Sequence, residues 1–365
     1  MNTRQKKAIS YHPGVMLQEK LEELGMPIKT FAVRCGKPES TIHAVLNKAS
    51  SVTSEMAILF ESVLGIPAHM WLRMQARYDE NVARCQRERE LEESYYWCKK
   101  FPFATMVAKR YISVKGNLTV AKKTEVLLDF FGFAKSSSWE AYYQKQILGT
   151  EFRLSLNGVS DPYSISAWLR HGELEAMRQQ EIVSFNMDTL KEYLPKILEL
   201  ANQGRSDCLS VLKRFCNEVG MVLVYSPGLP NTKANGATRW IKDKPLVQIS
   251  DYHKQYDIFW FSFFHELGHI LLHGKRDIFI EGIDYPQRDA KKEKEADDFA
   301  AECLVPAKAE KRLHQMTYSQ ENLKEFCRQE GIHPAFVVGR MHHLGLLDYQ
   351  YGNKNIPQID FEHQP

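Results

Sequence analysis

The chain has 365 residues, 44% hydrophobic and 25% charged, enough to bury ordinary cores without staples and long enough for two or three domains. Its net charge of +3 does not by itself mark a nucleic-acid binder. The seven scattered cysteines include no CxxC pair, which argues against a disulfide framework or a cysteine-based zinc site. The opening MNTRQKKAIS has no apolar core and no run of 18 apolar residues occurs, so a cytoplasmic location is expected.

In chain order, residues 14–78 predict short helices separated by tight turns. Leu17, Leu21 and Leu24 follow helical spacing up to Gly25. Ile28, Phe31, Ala32 and Cys35 outline a second helix closed by Gly36. Pro38 suits the first turn of a third, with Ile42, Val45 and Leu46 on one face. Thr53 is the expected N-cap of a fourth, carrying Met56, Leu59, Phe60, Val63 and Leu64 inward, and a fifth starts near Ala68. Residues 1–50 hold eight Lys and Arg against four Glu, an excess compatible with a phosphate-facing surface.

From 81 to 204 the pattern is mostly helical, with a charged run at 84–93 and loops expected at Ser136–Ser138 and Leu156–Pro162. From 205 the character changes. Met221–Tyr225, Ala237–Trp240 and Pro245–Ser250 predict strands. An aromatic helix (258–273), a strand-like piece (Asp277–Ile280) and a helix from Lys291 to Leu304 follow, together an α+β arrangement.

The aromatic helix contains FFHELGHILLH (263–273). His265 and His269, at i and i+4, project from one helical face and can bind one ion, with Glu266 beside them as a proton acceptor for metal-bound water. With 13 histidines in the chain, a chance HExxH arises in only roughly a few per cent of such sequences. Phe263, Phe264, Leu267, Ile270, Leu271 and Leu272 predict a buried helix and a dry site. Zinc chemistry needs a third protein ligand and an open position, where bound water titrates near ~7.

Leu272 and Lys275 stand where a metzincin needs Gly and His, which excludes that class. The remaining source is an acid on a second helix. In KEKEADDFAAECLVP (292–306), Glu293 falls inside the apolar stripe of Ala296, Phe299, Ala300, Cys303 and Leu304, and Glu295 lies at its margin. A core-facing carboxylate needs a positive partner, so Glu293 is the expected ligand, Glu295 the alternative, and Asp297 a hydrogen-bond partner for a ligand histidine. His273 is expected at the pocket edge, and His253, His342 and His343 as surface or packing residues.

On these motifs residues 205–345 resemble the ImmA/IrrE metallopeptidases: the HELGH helix, EKEADDFAAECLVP and GIHPAFVVGRMHHLG. The resemblance implies a gluzincin-like fold, one Zn2+ per chain, and the Glu that opens the second motif as ligand, matching Glu293, with Asp297 matching the acid or amide four residues on. Cys303 and Val305 depart from the usual Leu and Met. HPGVMLQEKLEELGM, CGKPESTIHAVLNK and IPAHMWLRMQARYD resemble the Xre-type helix-turn-helix of HigA-like antitoxins. FRLS (152–155) and AWLRHGELEA (167–176) look like the connector of such fusions. The expected organisation is therefore multidomain: an all-α helix-turn-helix domain (1–80), a helical connector (81–204) and an α+β metallopeptidase domain (205–365).

A helix-turn-helix lays its second helix in the major groove, commonly as a dimer on a palindrome. The outward residues Glu39, Ser40, Thr41, His43 and Asn47 are the expected readers, with Lys37 and Lys48 near phosphates. The expected partners are operator DNA, a protein substrate (this chain or another repressor), a possible cognate toxin and a second copy of the chain. Two other readings stay open: an antitoxin whose metal domain is a sensor or toxin-binding module without proteolysis, and a non-specific peptidase with a vestigial N-terminal domain.

Overall fold

A computed structural model describes residues 11–143, 161–179, 183–273, 279–280 and 290–361. These form two compact units, one reaching Tyr95 and including Thr119–Thr124, the other holding Tyr96–Leu118 and the chain from Glu125 onward.

The first unit contains α1 (Pro13–Glu23), α2 (Ile28–Arg34), α3 (Glu39–Leu46), α4 (Ser54–Leu64) and α5 (Ala68–Glu93). Its core gathers Leu17, Leu21, Phe31, Ile42, Val45, Phe60 and Trp71, all buried. Helical periodicity selects most of this set, because each helix turns one apolar stripe inward; it misses Trp71, and Leu24, which it includes, is exposed where it follows the end of α1. Thr53 caps α4 by accepting the Met56 N–H, and Gly25, Gly36 and Gly65 take left-handed φ where α1, α2 and α4 end. The expected boundary at 80/81 falls inside α5, which runs unbroken to Glu93. Its charged run forms i,i+3 and i,i+4 pairs such as Arg84–Glu80 and Arg87–Glu90 along an exposed helix.

The second unit begins at Tyr96 in α6 (Tyr95–Lys99) and holds α7 (Phe103–Ala108), α8 (Val120–Phe131) from Glu125 onward, and α9 (Ser136–Tyr142). Ser136–Ser138, expected as a loop, form the first turn of α9, anchored by the buried Trp139 in an aromatic cluster with Trp97, Phe101 and Phe131. Of the other expected loop, Leu156–Ser160 lie outside the described residues, as does FRLS. Asp161 caps α10 (Pro162–Arg178) through the N–H groups of Tyr163 and Ser164.

Then follow α11 (Met187–Gln203), α12 (Cys208–Glu218), β1 (Val222–Tyr225), β2 (Gly236–Ile241), β3 (Lys244–Ile249), α13 (Tyr256–Leu272), β4 (Phe279–Ile280), α14 (Ala290–Leu304), α15 (Ala307–Leu313), α16 (Gln320–Glu330) and α17 (Pro334–His343). The strands lie in the order β1-β3-β2-β4; β1 runs parallel to β3, while β2 is antiparallel to both β3 and β4. Of the strand-like piece expected at 277–280, 277–278 lie outside the described residues. Helix α10 packs on β1 and β3. There Gln248 donates to the Trp168 carbonyl at 2.7 Å and Arg239 donates to Gln248 Oε1 at 3.1 Å, so these buried polar side chains of the sheet are tied to one another and to the helix. That helix comes from the expected connector and belongs to the same compact unit as the sheet.

Helix α13 packs on β2 and β3 and meets α14 and α17. It is buried almost all round: Phe259, Trp260, Phe263, Phe264, Leu267 and Ile270 enter the main core. Leu272 departs from expectation and is 52% exposed, because it closes the last turn, beyond the cover of the packing helices. No helix among the described residues is long and apolar enough to cross a membrane.

Candidate metal centre

Placing two histidines and two glutamates inside an apolar core is costly unless they serve one another. His265, Glu266 and His269 on α13, and Glu293 in the first turn of α14, are at most 3% exposed. The two imidazoles stand edge to face, with their Nε2 atoms 3.0 Å apart. Glu293 lies 3.5 Å from His265 Nε2 and 3.6 Å from His269 Nε2. One ligand atom from each of His265, His269 and Glu293 falls within 4.8 Å of the others. Glu295 is not in this group; its carboxylate meets His273 Nε2 at 3.1 Å.

The outer partners of the rings decide what the inner nitrogens carry. His265 Nδ1 lies 2.8 Å from the Asp297 carboxylate. A carboxylate only accepts, so Nδ1 holds the proton and Nε2 keeps a lone pair. His273 Nε2 donates to Glu295 by the same rule, which makes its Nδ1, in a neutral ring, the acceptor facing His269 Nδ1 at 3.0 Å. With the proton of His269 likewise on Nδ1, both inner Nε2 atoms are free for a cation. Two Nε2 lone pairs and a carboxylate then converge on one point, an electron-rich pocket that a cation satisfies. The donor set fits a divalent ion of the zinc type.

Two glycines make this geometry sterically possible. A Cβ on Gly268 would stand 3.2 Å from Ala296 Cα, so its absence lets α13 and α14 approach closely enough to share the site. A Cβ on Gly236, the first residue of β2, would sit 2.8 Å from Glu266 Oε1. Thr238 on the same strand donates to the Glu266 carbonyl at 3.2 Å. The HExxH spacing carries no sign of either β2 contact.

Sequence reasoning also missed the work of His273 and Glu295. The signal was present: His273 continues the i, i+4 series of His265 and His269 on the same face. His342, expected at the surface or in packing, is buried and faces the Tyr351 carbonyl at 2.9 Å.

In the first unit, Glu39, Ser40, His43, Asn47 and Lys48 are exposed, and Thr41 and Lys37 half-buried. They lie on or beside α3, opposite the buried Ile42 and Val45. Lys37 is tied to Glu55 at 2.7 Å, and His43 lies 3.6 Å from Glu39. Lys48 follows the helix in the left-handed region, with φ of 62°.

Comparison with known proteins matches both halves. Residues 216–329 match the M78 peptidase family, described as the IrrE N-terminal-like domain. An uncharacterized HTH-type transcriptional regulator, YddM of Escherichia coli K12, is 36% identical over 63 residues, which cover 17% of this chain and 67% of that protein. Two solved structures are also similar. A protein described as an antidote of a plasmid maintenance system, from Nostoc punctiforme, is 30% identical over 23% of this chain and 91% of its own, with a TM-score of 0.23. A HigA-family addiction-module antidote protein from Coxiella burnetii is 26% identical over 30% of this chain and 98% of its own, with a TM-score of 0.20.

The chain therefore joins a helix-turn-helix domain to a metallopeptidase-like domain. It belongs with the helix-turn-helix transcriptional regulators through the first, and the second carries its match to the M78 peptidase family over residues 216–329.

Proposed function

We propose that this protein is an operator-binding regulator whose C-terminal domain is a gluzincin-like endopeptidase that cuts a regulator protein, either this chain or a partner. One Zn2+ per chain would be held by His265, His269 and Glu293. The observation that supports this most directly is the convergence of two Nε2 lone pairs and the Glu293 carboxylate, with a second buried carboxylate, Glu266, on the same helix. When bound, zinc supplies a Lewis acid for the scissile carbonyl and makes water acidic enough to act as a nucleophile near neutral pH.

Glu266 takes the proton of the attacking water and passes it to the leaving amine nitrogen, as a general base and then a general acid. Asp297 and His273 hold the two imidazoles in the tautomer that faces Nε2 inward. In the other half, α3 would enter the major groove with Glu39, Ser40, Thr41, His43 and Asn47 toward base edges, and a dimer would meet a palindromic operator. Joining both parts in one chain suits self-control, in which cutting a regulator ends its repression.

The test is incubation of purified, zinc-loaded protein, alone and with its operator DNA and candidate repressors, beside a Glu266→Gln variant. The variant should lose cleavage by about 10²–10⁴-fold while it keeps bound metal and DNA affinity. Equal fragment patterns from both proteins would refute the proteolytic role. Equal neutralisation of a co-encoded toxin by both would instead support the antitoxin reading.

A further inference from the structure

A cavity of about 550 Å³ opens between the first half of α13, α14 and α17. At one end it reaches Asp297, the residue bonded to His265 Nδ1, and Phe261, whose ring lies 6.4 Å from the His265 imidazole. At the other end is Asp257, in the first turn of α13. The eight positions from Asp257 to His265 span about 12 Å of helix. The rest of the lining combines an apolar part, Ile258, Leu304, Val305 and Phe336, with the polar Asn235, His253 and His343.

Two cations on the lining are already committed. Lys294 is paired with Asp298 at 2.7 Å, and Arg340 with Glu310 at 2.7 Å. Among the described residues, Asp257 has no such cation. Its Oδ1 is shielded from solvent and makes no hydrogen bond to a described residue. Helix α17 leaves room for this carboxyl through Gly339, where a Cβ would collide with Asp257 Oδ2. Burial pushes the Asp257 carboxyl above its ordinary range, and the backbone N–H of Ile258 and the charge of His342 only partly offset it. An acceptor held in this way lacks a donor, and a charged donor serves it best.

We infer that this cavity is a subsite for a basic side chain, lysine or arginine, of the peptide cut at the metal centre, with Asp257 as its counter-charge. The inference rests on the proteolytic reading of that centre. The apolar part of the lining matches the methylene stem of such a side chain, while its charged head reaches the carboxylate at the far end. Consecutive Cα atoms lie about 3.8 Å apart, so a long basic side chain one or two residues from the cut bond covers the distance.

The probe is a library of chymotryptic peptides from a bacterial proteome, digested by zinc-loaded wild-type protein, with cut sites identified by mass spectrometry. Lys and Arg should be enriched at least ~10-fold at one position within two residues of the cut. Asp257→Asn should abolish that enrichment and leave cutting of library peptides with Leu or Met there unchanged. Its melting temperature, matched to wild type, shows that the fold is intact. Cleavage without basic preference, or a preference that survives Asp257→Asn, overturns the subsite and leaves proteolysis standing.

A second measurement separates the two ideas. Saturation-transfer NMR on zinc-loaded Glu266→Gln protein should show acetyl-arginine-amide bound in preference to acetyl-norleucine-amide, and Asp257→Asn should remove that preference. Arginine-selective binding without any library cleavage would leave a cation-binding pocket and overturn the peptidase role. Absence of selective binding overturns the subsite.

Discussion

The two units handle polar chemistry in opposite ways. In the helix-turn-helix unit the candidate DNA-contacting groups sit on a surface face, outside a conventional apolar core. In the peptidase-like unit the working groups are inside: His265, Glu266, His269 and Glu293 lie among phenylalanines and leucines. Exposed polar groups are satisfied by water and need no particular neighbour. Buried ones must be answered by specific partners, so their positions carry more information about function.

Removing the metal should separate the units most sharply. An ion present at about a thousand times its dissociation constant adds about 4 kcal/mol to the folded state that binds it. Chelation should thus lower the melting transition of the C-terminal unit by on the order of 10 °C and leave that of the N-terminal unit unmoved. Differential scanning calorimetry with and without chelator reads both. A common shift of the two transitions, or none, would break the contrast.

Acid should act on the same unit by a different route. His171 is buried, lies 2.7 Å from Ser226 Oγ and stacks on Tyr111 at 3.9 Å between ring centres. Burial, with Arg178 adding repulsion, pulls its imidazole down to about 4. A depressed folded value means that the neutral ring's contribution is complete above the ordinary value near 6.5 and is lost as pH falls toward 4. The C-terminal unit should lose about 3 kcal/mol across that window, measured by denaturant unfolding at stepped pH. A His171→Gln variant should show a correspondingly flatter profile.

The smallest effect belongs to the exposed face. Lys48→Gln should weaken DNA binding evenly across sequences and reduce the slope of log affinity against log salt by about 1. Lys37, already paired with Glu55, should change that slope less. Fluorescence anisotropy over a salt series gives both numbers.

What could be learned from sequence follows the same division. Glu293 could be picked out because a glutamate inside the stripe of Ala296, Ala300 and Leu304 contradicts its surroundings. The helices of the first unit could be placed because each has one apolar face and three of them, α1, α2 and α4, stop at glycine. Ser136–Ser138 misled because a serine run has weak preferences of its own, and Trp139, buried by distant aromatics, decides the conformation. The charged run could be read as helix, but nothing in it says that the helix begun at Ala68 continues through the boundary expected at 80/81. The cavity at Asp257 was beyond reach, since it exists only where α17 folds back on α13.

The first residue of β2 has one more consequence. Because Gly236 yields its side-chain space to the Glu266 carboxylate, a single methyl group at that position would press the carboxylate aside and leave His265, His269 and Glu293 in place. On the proposed proteolytic role, one codon change would then separate ion binding from cutting, and alanine at this site in a related chain would mark a domain kept for binding alone.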